Sequence, residues 1–180
     1  MDTNKQLFDA IRKLMNHIPK SWVELTTHRL DIYDEKLAKS EFLSQFEDFL
    51  LSESYSTEAL DSLPTAYDYI RLGHQLSSVL EWFVAKLNQV PSDQVITFAS
   101  CTMPILAILR RDALAQNPTY IYHDLDSSPV LDETRLRSIY GYQFDVKQVT
   151  SASEIPEQQF GTTLFVTESS YKTPLTNHVN

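Results

Sequence analysis

A chain of 180 residues, 42% hydrophobic and 22% charged, has enough apolar side chains for a core, and its composition is not that of a disordered polymer. A formal net charge of -9 argues against nucleic-acid binding through phosphate neutralisation, and a single cysteine, Cys101, excludes an internal disulfide. No apolar run approaches the roughly 20 residues that span a bilayer, and the first residues lack the apolar core of a signal peptide, so a cytoplasmic protein that binds neither membrane nor nucleic acid is expected.

The first third is expected to be helical. Leu7, Ile11, Leu14, Met15 and Ile18 recur at spacings of three and four until Pro19. A second stripe, Phe42, Phe46, Phe49 and Leu50, follows Ser40, which is placed to cap it. The stretch from Ser52 to Pro64 has few large apolar residues, which places a boundary near Ser62. The expected organisation is a helical arm over residues 1–62 and an α/β portion over 63–180.

Beyond the boundary the period alternates between helix and strand, as in an α/β layer fold with a mostly parallel sheet. Val79, Leu80, Phe83, Val84 and Leu87 make one helical face, and Val95 to Ala99 is a short apolar strand. Thr102 to Leu114 is apolar nearly all round, which predicts a buried helix. Thr119 to Tyr122 is a strand, Val130 to Ile139 a polar-faced helix, and Tyr142 to Val149 and Thr162 to Thr167 are further strands.

Three groups of residues carry possible chemistry. A strand that feeds Ser100-Cys101-Thr102 into a helix start makes a cup for a phosphate, since free backbone N–H groups and the positive dipole end point outward there. The plain alternative is a helix cap, with Cys101 as a small buried residue. Tyr69 and Arg71, two apart in an extended segment, offer a phenol and a planar donor fork to the same kind of anion; otherwise they are a packed ring and a solvated cation. His123, Asp124 and Asp126 follow a strand, at the end where α/β folds keep their sites. No second His or Cys stands at ligand spacing, so a turn-forming role for Asp126, Ser127 and Ser128 is expected rather than a metal site. Glu168 and Lys172 lie after the last strand, where each is either a site residue or a surface charge.

The order of these residues resembles the pyridoxal-phosphate enzymes of cysteine and methionine metabolism, the family of cystathionine γ-synthase and β-lyase. Tyr69 and Arg71 match its Tyr-x-Arg pair, Leu80 and Glu81 its following helix, Phe98 to Met103 its Ser-Gly-Met-Ala strand end, and Leu164 to Ser169 its Val-x-Glu-Ser-Pro strand. The likeness covers Tyr67 to Leu175. It implies part of a three-layer α/β/α large domain of the pyridoxal-phosphate transferase fold, preceded by the helical arm, and a homo-oligomer or a partner C-terminal half. It implies a trans-sulfuration lyase or γ-synthase acting on an amino-acid substrate, with pyridoxal 5'-phosphate as cofactor. Ser100, Cys101 and Thr102 would hold the phosphate, Tyr69 and Arg71 that of a neighbouring subunit, and Asp126 would line the ring. The family's sheet puts the first strand at one edge, beside strands from a later segment, and the next three at the other side. Cys101 replaces the loop glycine, and Asp126 stands in place of a ring-stacking Tyr. The lysine that carries the cofactor falls beyond Asn180, so a truncated or divergent enzyme, inactive as this chain alone, is expected. The alternatives are a non-catalytic α/β interaction module that completes a partner or self-associates, and a fragment similar to the α-oxoamine synthases.

Overall fold

A computed structural model describes residues 3–23, 35–52, 55–64, 74–126, 131–156 and 160–168. Contacts divide the chain into two compact units, Met1–Thr97 and Phe98–Asn180. The first is helical and the second is a small all-parallel sheet with helices.

In the first unit α1 spans Thr3–Met15, α2 Lys20–Val23, α3 Glu35–Leu51, α4 Thr57–Asp61 and α5 Gln75–Asn88. Leu7, Ile11 and Leu14 face inward at helical spacing, whereas Met15 turns out as α1 ends before Pro19. Around Leu14 gather Trp22, Phe42, Phe46, Leu50, Leu60, Val79 and Trp82. Phe42 meets Trp22 and Phe46 meets Trp82 edge to face, with centroids 5.5 Å apart in both pairs. Ser40 does not cap this helix: α3 begins at Glu35, so Ser40 lies within it. The caps belong instead to Ser56, whose hydroxyl accepts the Ala59 N–H, and to His74, whose Nδ1 accepts the Leu76 N–H. Ser62, the expected boundary, falls inside this unit, since Leu60 and Trp82 share one core. The buried face of α5 is Ser78, Val79, Glu81, Trp82 and Ala85; Leu80, expected inside, is 49% exposed.

The expected strand Val95 to Ala99 does not form. After a short 3-10 turn at Ser92–Gln94 the chain runs irregularly, and the N–H and hydroxyl of Thr97 both donate to Glu81 Oε1, at 2.9 and 3.1 Å. A buried carboxylate thus takes the amide that a neighbouring strand would otherwise pair. Ile96 and Phe98 stay exposed, so no sheet face holds them.

The second unit contains α6 (Met103–Ala115), β1 (Thr119–His123), α7 (Glu133–Ser138), β2 (Phe144–Gln148) and β3 (Thr162–Val166). The strand order is β2-β1-β3, with both pairs parallel. Among the described residues the sheet therefore has three strands where four were expected. Register places Thr119, Phe144 and Thr162 side by side, then Ile121, Val146 and Leu164, then His123, Gln148 and Val166. Neighbours in a parallel ladder share a face. That face is covered by Ile105 and Leu109 of α6 and by Leu136 of α7. The helix α6 is not buried all round as expected: Ile105, Leu109 and Asp112 are inside, while Met103 and Leu114 are 50% and 80% exposed. Only the stripe that meets the sheet is covered. The helix α7 is shorter than its apolar pattern, because Asp132 accepts the Arg135 N–H and fixes its start; Val130 lies outside the described residues. Among the described residues no helix is long and apolar enough to cross a membrane.

Candidate site at the C-terminal edge of the sheet

Parallel strands put all their C-terminal ends on one edge, and there the loops of β1 and β3 converge. The Thr167 hydroxyl donates to Asp124 Oδ2 at 2.9 Å, and the Asp124 N–H donates to the Val166 carbonyl at 3.3 Å. The Gln148 side-chain amide donates to the Leu125 carbonyl at 2.9 Å, tying β2 to the same loop. Asp126 follows in a bend and is exposed, as is Glu168 after β3. Asp124 and Asp126 follow β1 as expected, whereas His123, expected after the strand, is its last residue. Thr167 and Gln148 went unremarked in the sequence; the only signal they gave is that Gln148 closes the alternating strand β2 and Thr167 directly follows the strand β3.

The direction of α6 brings Ser100 to Thr102 toward the same edge. Its last turn is pinned at the opposite edge, where Asp112 bonds Thr119 and Arg111 bonds Thr162, the first residues of β1 and β3. Ile105 and Leu109 pack over the same sheet face, so the helix runs back across the strands and its start overlies their C-terminal ends. Ser100 Oγ lies 3.0 Å from Thr102 Oγ1 and accepts the Thr102 N–H at 3.3 Å. Thr102 occupies the N-cap position, but its side chain caps no helix amide, and Pro104 stands in the first turn. The hydroxyl pair therefore closes a small turn on itself, and Ser100 is exposed. Cys101 is exposed, which corrects the expectation that it is a small buried residue.

His123 differs from the other described groups at this edge. It is 4% exposed, and its Nδ1 is buried with no hydrogen-bond partner among the described residues. It shares the α6-covered face with Ile121. Tyr69, Arg71, Ser127, Ser128 and Lys172 lie outside the described residues.

Compared with known proteins, the chain finds no counterpart: no protein-family model, no curated protein and no solved structure matches it.

Proposed function

We propose that this chain is the phosphate-binding portion of a divergent pyridoxal-phosphate enzyme of sulfur-amino-acid metabolism. The observation that carries the reading is the sheet. Residues 119–123, 144–148 and 162–166 pair in the order β2-β1-β3, while residues 95–99 stay out of it. A small all-parallel sheet with helices is compatible with part of a three-layer α/β/α large domain, while residues 95–99, expected as its first strand, form none.

The residues present fit the phosphate end of the cofactor. Two hydroxyls 3.0 Å apart stand at the start of a 13-residue helix, where the dipole favours an anion. They fit the ring end less well, because exposed Asp126 offers no aromatic face. When bound, the cofactor supplies an electron sink for bonds to the amino-acid α-carbon. Ser100 and Thr102 would orient it through its phosphate, and Asp126 would line the ring. Tyr69 and Arg71 would serve the phosphate of a neighbouring subunit in a homo-oligomer.

Titration of pyridoxal phosphate into the protein, Arg71→Ala and Thr102→Ala, followed by the yellow chromophore and by bound stoichiometry, tests the reading. The protein should bind more tightly than either variant, and only as an assembly of two chains; equal binding overturns it.

The exposure of Leu114 and Phe160, 80% and 82%, favours a second reading as a non-catalytic module that associates with itself or a partner. A stable monomer in light scattering with no cofactor affinity would exclude both readings.

A further inference from the structure

In the order β2-β1-β3 the strand β2 has no neighbour on its outer side among the described residues. Which of its backbone groups face outward follows from the pairing on its inner side. The Thr119 N–H donates to the Gln143 carbonyl at 3.2 Å, and the Val149 N–H donates to the His123 carbonyl at 2.9 Å, so Gln143 and Val149 both turn toward β1. A strand sends the N–H and C=O of successive residues to alternate sides. Asp145 and Lys147, in step with Gln143 and Val149, therefore turn to β1, and Phe144, Val146 and Gln148 turn outward. Such a row of outward groups is a template for a further strand.

The side chains on this edge select what can pair with it. Asp145 and Lys147 are exposed, on the sheet face opposite Val146, and neither forms an ion pair among the described residues. Charges on an edge strand commonly deter pairing. Here, however, one negative and one positive residue flank Val146 symmetrically. We propose that β2 pairs antiparallel with β2 of a second copy of this chain, about a two-fold axis at Val146. In that register Val146 exchanges N–H and C=O bonds with its own copy, and Phe144 does so with the partner's Gln148, so each outward residue is paired. Asp145 then stands opposite the partner's Lys147 at the positions without backbone bonds, where side chains approach most closely and opposite charges attract. A two-fold axis at Asp145 or at Lys147 would set that residue against its own copy, like charge on like. Ile139 and Tyr140, which lead into β2, are 69% and 59% exposed. The proposal does not rest on the cofactor reading.

Sedimentation equilibrium of the full chain at low salt, without cofactor, tests the proposal together with amide hydrogen exchange. A dimer is expected, and the amides of Phe144, Val146 and Gln148 should exchange more slowly as the protein concentration rises. Lys147→Asp turns both cross-strand pairs into repulsions and should weaken the dimer about tenfold; Asp145→Lys should do the same. Both residues are exposed, so neither change enters a core. The double variant Asp145→Lys, Lys147→Asp should regain the original affinity, and an equimolar mixture of the two single variants should associate more tightly than either alone. A chain that stays monomeric at every concentration shows that the charges guard the edge, and overturns the proposal. So does a dimer indifferent to the single variants, which forms through another surface, or one in which those amides exchange as in the monomer. Cofactor affinity is a separate readout, so this proposal and the cofactor reading can each fail alone.

Discussion

The carboxylate of Asp112 and the hydroxyl of Thr119 meet at 2.8 Å in the interior of the second unit, joining the last turn of α6 to the first residue of β1. Arg111 adds Nε and Nη2 bonds to the other carboxylate oxygen, at 2.9 and 2.8 Å, and its Nη2 also donates to Thr162 at the start of β3. One helix is thereby fixed to two adjacent parallel strands at their N-terminal edge. The candidate site lies at the other edge, so its geometry depends on this clamp without touching it.

Replacing Asp112 by Asn should destabilise the second unit by about 2 kcal/mol, since charge-assisted hydrogen bonds are worth about 1.5 to 3 kcal/mol and one amide oxygen can keep only part of the set. The Arg111 side chain is 59% exposed, so its charge is screened and the hydrogen bonds dominate the loss. Burial pushes the Asp112 carboxyl up, but hydrogen bonds from Thr119, Arg111 and Thr162 and the Arg111 charge outweigh it and hold it below the usual Asp value. A lowered carboxyl contributes stability that is present above the unfolded value, about 4, and is lost as pH falls through the folded one. Urea midpoints of the protein and of Asp112→Asn should therefore differ at pH 6 and converge below about pH 4. A gap that stays constant across that range would remove the carboxylate from the account.

A second constraint on the same edge is steric. Gly161 has a φ of +121°, and a Cβ there would lie 2.3 Å from the Pro118 carbonyl oxygen, which accepts the Thr162 N–H at 2.9 Å. Gly161→Ala must either push β3 away from the start of β1 or break that bond. A loss of about 2 to 4 kcal/mol is expected from backbone strain and overpacking together. Gly141→Ala is the control, since φ there is +69° but no atom lies within 4 Å of the added Cβ, so only the smaller strain contribution applies. Equal thermal shifts in the two variants would show that the contact with Pro118 does not matter.

Three of the four expected strands and the main helices were legible because their apolar periods are set by burial on one face. The fourth, Val95 to Ala99, misled because an apolar run says nothing of whether a neighbouring strand exists; Glu81, sixteen residues away, takes the Thr97 amide. The all-round apolar character of α6 suggested deep burial, yet Leu114 stays in solvent and polar Asp112 goes inside. Only the hydroxyl of Thr119, seven residues later, and the side chain of adjacent Arg111 explain that inversion. At the site, the residue types after β1 were readable, as was the helix start at Ser100. The orphaned Nδ1 of His123 was not, because hydrogen-bond satisfaction depends on which side chains a fold brings near.

In the first unit the balance between packing and charge can be tested on adjacent residues. Phe46 is fully buried, against Phe42 and edge-on to Trp82, whereas its neighbour Glu47 is 39% exposed and bonds Lys86 at 2.6 Å and Trp82 Nε1 at 3.2 Å. Removing a buried aromatic ring costs about 3 to 5 kcal/mol through lost transfer energy and the cavity left behind. An exposed ion pair contributes about 0 to 1 kcal/mol and weakens with salt. Phe46→Ala should therefore unfold the helical unit at far lower urea than Glu47→Gln, and only the Glu47 effect should shrink between low and high salt. If Glu47→Gln proves the more damaging, its bond to the Trp82 indole, and not aromatic packing, fixes α5 against α3.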